Sequence, residues 1–323
     1  TVLLPPEAAA MVALNQQNLS QGPFTHLRDL IDLRHEAGKV DLTSLAKTSN
    51  PLSGQLRSKS QGRGIDFSEV RDYQPGDDVR TIDWRVTART QVAHTKLFQE
   101  EKERPVLIVV DQSNHMFFGS RTRFKSVAAA RIAALLAWSS LEQGDRVGGI
   151  VFSDAAHREI RPRRSRHSVL RLIHEIDRYN HELENAQPAR VTDALAQALV
   201  NARRVCKHGS SIILISDFSC LDEQALLYLQ QLARYNDVTG IHISDPLEHQ
   251  LPAPDLYTVT DGERKLPIDT AAVSIREQYQ SQYKKRQAEL VQTFARLKCL
   301  LISMLTTDEV VTGINASRHR GNR

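Results

Sequence analysis

Cysteine is scarce: the 323-residue chain has three, Cys206, Cys220 and Cys299. They are far apart and odd in number, so they form neither a CxxC pair nor a disulfide framework, and a reducing cytoplasm is the expected compartment. A charge excess of one sign is missing too. Lys and Arg number 42 against 38 Asp and Glu, a balance of +4 that does not by itself argue for nucleic acid. Long apolar runs are absent: the longest, "SVAAARIAALLAWSSL", contains Arg131 and falls short of the about 20 residues a membrane span needs. The N-terminal "TVLLPPEAAAMVALNQQ" lacks a basic n-region and carries Glu7 and two prolines, unlike a secretory signal. No stable membrane insertion is therefore expected. Also missing are a GxxxxGK[ST] phosphate loop, a GxGxxG after a strand, HExxH and a GxSxG elbow, so no nucleotide cofactor is expected. His174-Glu175 and His181-Glu182 lack a second ligand at useful spacing and read as surface residues.

What is present is a globular composition, 41% hydrophobic and 25% charged, on a chain long enough to bury a core without disulfides. From Phe24 to Ala37 apolar residues recur at helical spacing and stop at Gly38, a C-cap signal. Residues 40–64 are rich in Ser, Gly, Lys and Arg and read as an exposed loop. The alternating pattern of "IDFSEVRDYQPGDDVRTIDWRVTARTQVAHTKLFQEE" predicts short strands, a turn at Pro75-Gly76, and a short helix capped by Asp77 or Asp78 that ends near Trp84. After Arg104 strands alternate with helices. Val106 to Asp111 is a strand and Arg123 to Leu141 a helix; "RVGGIVF" with "HREIRP" forms an antiparallel edge hairpin, and "SSIILISDF" is a second buried strand. This order predicts an α/β domain, a mostly parallel sheet covered by helices on both faces. The expected divisions are an N-terminal appendage of helix, loop and charged strands over 1–103, the α/β domain over 104–312, and a frayed basic tail over 313–323.

Two of the most apolar strands end alike, "VLIVVD" at Asp111 and "IILISD" at Asp217. If they are parallel neighbours, both carboxylates emerge at one sheet edge, close enough to share a cation; the plainer alternative is that each Asp caps the loop or helix that follows. With Ser113 and with Thr192 of "RVTDAL", the set resembles the von Willebrand factor A fold, a Rossmann-like sheet, and its metal-ion-dependent adhesion site. There a DxSxS loop, a distant Thr and a distant Asp hold Mg²⁺. Asp111 and Ser113 match the first two loop positions, Thr192 the distant Thr and Asp217 the distant Asp, while His115 stands where the last Ser is usual. Mg²⁺ favours hard oxygen ligands, whereas imidazole suits softer metals, so Mg²⁺ is expected to bind weakly or not at all. A loop His hydrogen-bonded to Asp111 or Asp217 is the competing account of His115.

The run "GRGIDFSEVRDYQPGDDVRTIDWRVTAR" is similar to the signature of the bacterial domain of unknown function 58 family; with the metal-loop strand, the resemblance covers about Gly62 to Phe218. Such proteins are typically encoded beside a MoxR-type AAA+ ATPase, which implies an adaptor or co-chaperone role toward that ATPase and an unidentified client. The charges of the signature, Arg63, Asp66, Glu69, Arg71, Asp72, Asp77, Asp78, Arg80, Asp83 and Arg85, read first as an internal ion-pair lattice. A second basic stretch places Arg158, Arg161, Arg163, Arg164, Arg166 and Arg171 around Pro162, with Ser165 set to cap the following helix. Arg161, Arg163, Arg164 and Arg166 are candidate contacts for an acidic partner, because aromatic residues for base stacking are missing from the stretch and nucleic acid is not expected. The expectation is a non-enzymatic protein-interaction module. Its rivals are a metal-dependent hydrolase using Asp111 and Asp217, and an anion-binding protein using the arginine loop.

Overall fold

The computed structural model describes residues 22–40, 61–74, 79–99, 105–185, 193–260 and 265–320. The chain divides into two compact units, Pro51–Glu103 and the remainder, Thr1–Asn50 with Arg104–Arg323. Helix α1 (Leu27–Asp32) belongs to the larger unit and not to an appendage running to 103. Leu30, Leu33, Ala37 and Val40 are buried in that unit's core, and a chain of buried amides fastens the segment. Thr25 N donates to Asn180 Oδ1 at 2.8 Å, and Asn180 Nδ2 donates to Gln112 Oε1 at 3.1 Å. The helical spacing from Phe24 to Ala37 resolves into α1 followed by two short 3₁₀ turns, Leu33–His35 and Ala37–Lys39.

In the smaller unit β1 (Gln61–Asp72) pairs antiparallel with β2 (His94–Gln99), and α2 (Trp84–Thr90) lies between them in sequence. The expected helix therefore begins at Trp84 instead of ending there. Asp83 is its cap, accepting from Arg85 N at 3.0 Å and Val86 N at 3.2 Å, which satisfies donors that a first helical turn leaves open. Asp77, Asp78 and the Pro75-Gly76 turn lie outside the described residues, as does most of the 40–64 loop. Of the signature charges, Asp72 pairs with His94 at 3.2 Å and Arg71 donates to Asp72 O at 2.9 Å.

The larger unit is built on β3 (Pro105–Asp111), β4 (Arg146–Phe152), β5 (His157–Arg163), β6 (Ser211–Ser216), β7 (Asp237–Ser244) and β10 (Leu300–Leu305). Their order is β10-β7-β6-β3-β4-β5; every pair is parallel except β4 with β5, the expected edge hairpin. Strands β8 (Leu256–Thr260) and β9 (Lys265–Asp269) form a separate hairpin. Alternation along β3 feeds two cores. Val106, Ile108 and Val110 face a cluster shared with α1, α3 (Lys125–Glu142) and α4 (Arg166–Glu182). Leu107 and Val109 face another shared with α5 (Ala194–Val205), α6 (Glu223–Ala233) and Phe294 of α8 (Val273–Arg296). Each fully buried Leu, Ile or Val contributes about 1.5–3 kcal/mol, which is why a strand with no polar face is stable here.

The apolar run flagged in the sequence is α3, buried from Lys125 through Ser140 except at Arg131. Its alanines let it approach the sheet closely. Among the described residues no helix is long and apolar enough to cross a membrane. Gly149 permits a similar approach on β4, since a Cβ there would lie 2.6 Å from Leu172 Cδ1. The segment expected to fray after residue 312 continues as α9 (Val310–Arg320). Val310 and Ile314 are buried in the first core, and that burial holds the start of the helix.

Candidate functional site

Strand β3 is where the sheet changes direction: the chain leaves it toward β4 and β5 on one side and returns to β6, β7 and β10 on the other. Open α/β sheets form their ligand crevice outside the carboxyl ends of the strands at such a point. Asp111 closes β3, Val110 pairs with Ile215 of β6, and Asp217 directly follows that strand. The two carboxylates thus emerge side by side, as the strand endings implied. Ser113 and His115 lie on the loop after β3; Thr192 lies outside the described residues.

The oxygens of both carboxylates are engaged. Asp111 Oδ1 accepts from Ser113 N at 2.9 Å, and Oδ2 accepts from Ser216 Oγ at 2.5 Å and from His115 Nε2 at 3.2 Å. Asp217 Oδ1 accepts from Ser219 N at 2.9 Å and lies 3.3 Å from the same His115 Nε2. Its Oδ2 accepts from Lys125 Nζ at 2.6 Å, and that ammonium also reaches Glu248 Oε1 at 2.8 Å. Lys125 is 2% exposed. Two cationic side chains thus stand at the carboxylate pair.

Burial opposes charge on His115, but Asp217 and Asp111 outweigh it and hold the imidazole well above its ordinary range. Burial likewise opposes ionisation of Asp217, and Lys125 and His115 overcome it, holding the carboxyl well below the usual carboxylate range. Lys125 is raised in turn: burial works against its charge, and Asp217 and Glu248 more than offset it. Buried charges persist only when paired and hydrogen-bonded in this way. His242 of β7 is held below its ordinary value, first by burial.

For Mg²⁺ the donors fit poorly. The buried hydroxyl Ser113 Oγ has no hydrogen-bond partner and would serve as a hard ligand, yet the carboxylates it would join already hold an ammonium and an imidazole. Asp111, His115 and Asp217 place their ligand atoms within 4.8 Å of one another, a mixed nitrogen and oxygen set suited to a softer ion. A third acid does reach the pair, but through Lys125. Glu248 is set there by Asp245, which follows β7 and caps α7 (Pro246–His249): Leu247 N donates to Asp245 Oδ1 at 3.0 Å, and Asp245 N to Glu248 Oε2 at 2.8 Å. On the far side of His115, Cys220 Sγ lies 3.8 Å from Nδ1. An imidazole held protonated by two carboxylates has no lone pair with which to draw the thiol proton.

Lys125, Ser216, Glu248 and Cys220 were not among the site residues expected from the sequence. Lys125 carried a signal: it is a cation at the first position of a mostly apolar helix, where the helix dipole disfavours positive charge. Ser216 stands beside Asp217 in "LISDF" and could have been read with it.

The basic stretch lies elsewhere on the unit, at β5 and the start of α4. Ser165 caps α4 as expected, accepting from His167 N at 3.1 Å. Arg161, Arg163, Arg166 and Arg171 are exposed. Arg164 lies against Gly144, where a Cβ would stand 3.1 Å from its Nη2. Arg158 Nε lies 3.8 Å from Glu175.

The family model described as "Protein of unknown function DUF58" matches residues 69–289, more than half of the chain. The chain belongs to the DUF58 family. Among similar proteins, uncharacterized proteins of Mycobacterium bovis and Mycobacterium tuberculosis are each 29% identical over 292 residues, covering 87% of this chain and 88% of theirs. Among solved structures, the conserved hypothetical protein BatB of Bacteroides thetaiotaomicron matches at a TM-score of 0.40 with 14% identity, over 68% of this chain and 97% of that one.

Proposed function

We propose that this DUF58 protein is a non-enzymatic interaction module with a von Willebrand factor A-like larger unit, acting in the cytoplasm as an adaptor or co-chaperone for a MoxR-type AAA+ ATPase and a client of that ATPase. The observation that carries the reading is the charge cluster at the ends of β3 and β6. Its carboxylate pair is neutralised from within by His115 and Lys125, so neither Asp is left to activate a water, and the hydrolase rival loses its base. The same pairing makes it a degenerate adhesion-type site that takes Mg²⁺ weakly or not at all. The sequence also lacks a phosphate loop, which fits a protein that modulates a nucleotide-driven partner instead of hydrolysing nucleotide itself.

The test measures ATP turnover by the purified chain, by a MoxR-type ATPase encoded beside it, and by the two together. The chain alone should be inactive, and its addition should change the ATPase rate in proportion to complex formation. Robust hydrolysis by the chain that a point substitution in it abolishes, or an ATPase that neither binds nor responds, would overturn the reading.

A further inference from the structure

Where β5 meets the start of α4 lies an open cleft of about 350 Å³. Ile160, Arg161 and Arg163 line it from the strand, and Ser165, His167 and Arg171 from the helix. The guanidiniums of Arg161, Arg163 and Arg171 have no hydrogen-bond or ion-pair partner among the described residues. On the same α4, by contrast, Arg178 takes Glu175 at 2.8 Å and Glu182 at 3.1 Å. One carboxylate, Glu159, lines the cleft as well, and it lies 3.9 Å from His157.

We propose that this cleft is a docking site for an acidic, extended polypeptide segment, which lies along β5 with its carboxylates on Arg161, Arg163 and Arg171. The proposal deepens the interaction-module reading by giving the partner's chemistry. β5 ends the sheet, so no strand among the described residues covers its outer side. Proteins also blunt sheet edges with scattered basic residues and proline, and Pro162 serves that end. Scattering does not describe three guanidiniums lining one cleft, which repel one another until an anion joins them.

The number of cations selects the partner. Strand β5 carries one extra residue between Ile160 and Arg163 relative to β4, so Arg161 and Arg163 do not form a simple alternating row, and separate guanidiniums are met by a chain carrying several carboxylates better than by one small anion. Nucleic acid is disfavoured because no Phe, Tyr or Trp lines the cleft, and base stacking needs aromatic faces.

The test is fluorescence anisotropy of the intact protein with a labelled peptide of six Glu-Thr repeats, competed separately by inorganic phosphate and by a single-stranded RNA of matched charge. The peptide should bind with an affinity that falls as salt rises, and Arg161→Glu/Arg163→Glu should weaken it by roughly tenfold or more. Arg171→Glu should weaken it as well. Lys284→Glu/Lys285→Glu, an equal charge change at exposed positions of α8, should leave it within about twofold. Equal loss in that control, or no loss in the arginine variants, overturns the proposal. So does displacement of the peptide by phosphate or RNA at lower concentration, which would assign the cleft to a small anion or to nucleic acid. The assay uses this protein alone, so a failure here leaves the ATPase association standing, and a failure there leaves the peptide result standing.

Discussion

Lys125 Nζ lies 2.6 Å from Asp217 Oδ2, at 3% and 7% side-chain exposure, so the head of α3 delivers its ammonium to the end of β6. Removing one partner of such a pair leaves the other buried and uncompensated, which costs about 3–5 kcal/mol, whereas removing both charges costs far less. Lys125→Met should therefore lower unfolding stability by about that amount in urea melts, with Lys125→Met/Asp217→Asn recovering a large part of it. Strictly additive losses in this double-mutant cycle would show that the two groups are not coupled. Glu248→Gln should cost less, because Glu248 is 27% exposed and water screens it.

The same cluster sets a pH profile. Asp217 is depressed below its ordinary 3.8, so its contribution is present above that value and lost as pH falls through the folded pKa. His115 is raised above 6.5, so its contribution is complete below that pH and lost as pH rises through the folded pKa. His242, depressed by burial, adds a loss on the acid side. The three are separated by difference. Wild type minus His115→Gln, plotted as stability against pH, should be flat between about 4 and 6.5 and then decline. The groups facing His115 are Asp111, Asp217 and Cys220. A difference curve that rises with pH would show that the imidazole is held neutral instead.

The strand endings were legible because Asp111 and Asp217 each stand at the end of a short, mostly apolar strand, and neighbouring parallel strands bring such endings to one edge. The cations were not. Lys125 stands far from Asp217 in sequence, and Glu248 reaches it only through the turn that Asp245 caps; no local pattern encodes a meeting made by tertiary packing. The placing of α1 was hidden for a similar reason. Its helical spacing marked an apolar face, but what that face covers depends on Asn180 and Gln112, polar residues at positions with no periodic signal. Asp83 was passed over as a cap because the aspartates before it offered the same chemistry at a plausible spacing.

Cysteine labelling should be selective. Burial pushes the thiols of Cys206 and Cys299 up to about 12, and only the thiolate is nucleophilic. With iodoacetamide at about pH 8 these two should react far more slowly than an unperturbed thiol, by the ratio of thiolate populations. Unfolding in urea should remove that protection at both, as read by peptide mass spectrometry. Preferential early labelling of Cys206 or Cys299 would contradict the burial found for them.

The response to metals tests whether the internal cations hold the place an adhesion-type site gives to Mg²⁺. A ligand bound only by the native state adds RT ln(1 + [L]/Kd), ~0.4 kcal/mol when its concentration equals Kd and about 2.7 kcal/mol at a hundredfold excess. Wild-type melts in millimolar Mg²⁺ and in chelator should differ by no more than the smaller figure. His115→Ser restores the loop hydroxyl and frees Asp111 Oδ2 of the imidazole, but Lys125 still holds Asp217 Oδ2; its response should stay small. His115→Ser/Lys125→Met removes both cations, and its melting temperature should rise with Mg²⁺ in a way that adding Asp111→Ala abolishes. A large Mg²⁺ shift already present in the wild type would mean that the ion displaces His115, and that the side chains are its ligands and not its replacements. A wild-type shift with Zn²⁺ alone would assign Asp111, His115 and Asp217 to a soft metal, since Zn²⁺ accepts imidazole with carboxylate where Mg²⁺ does not.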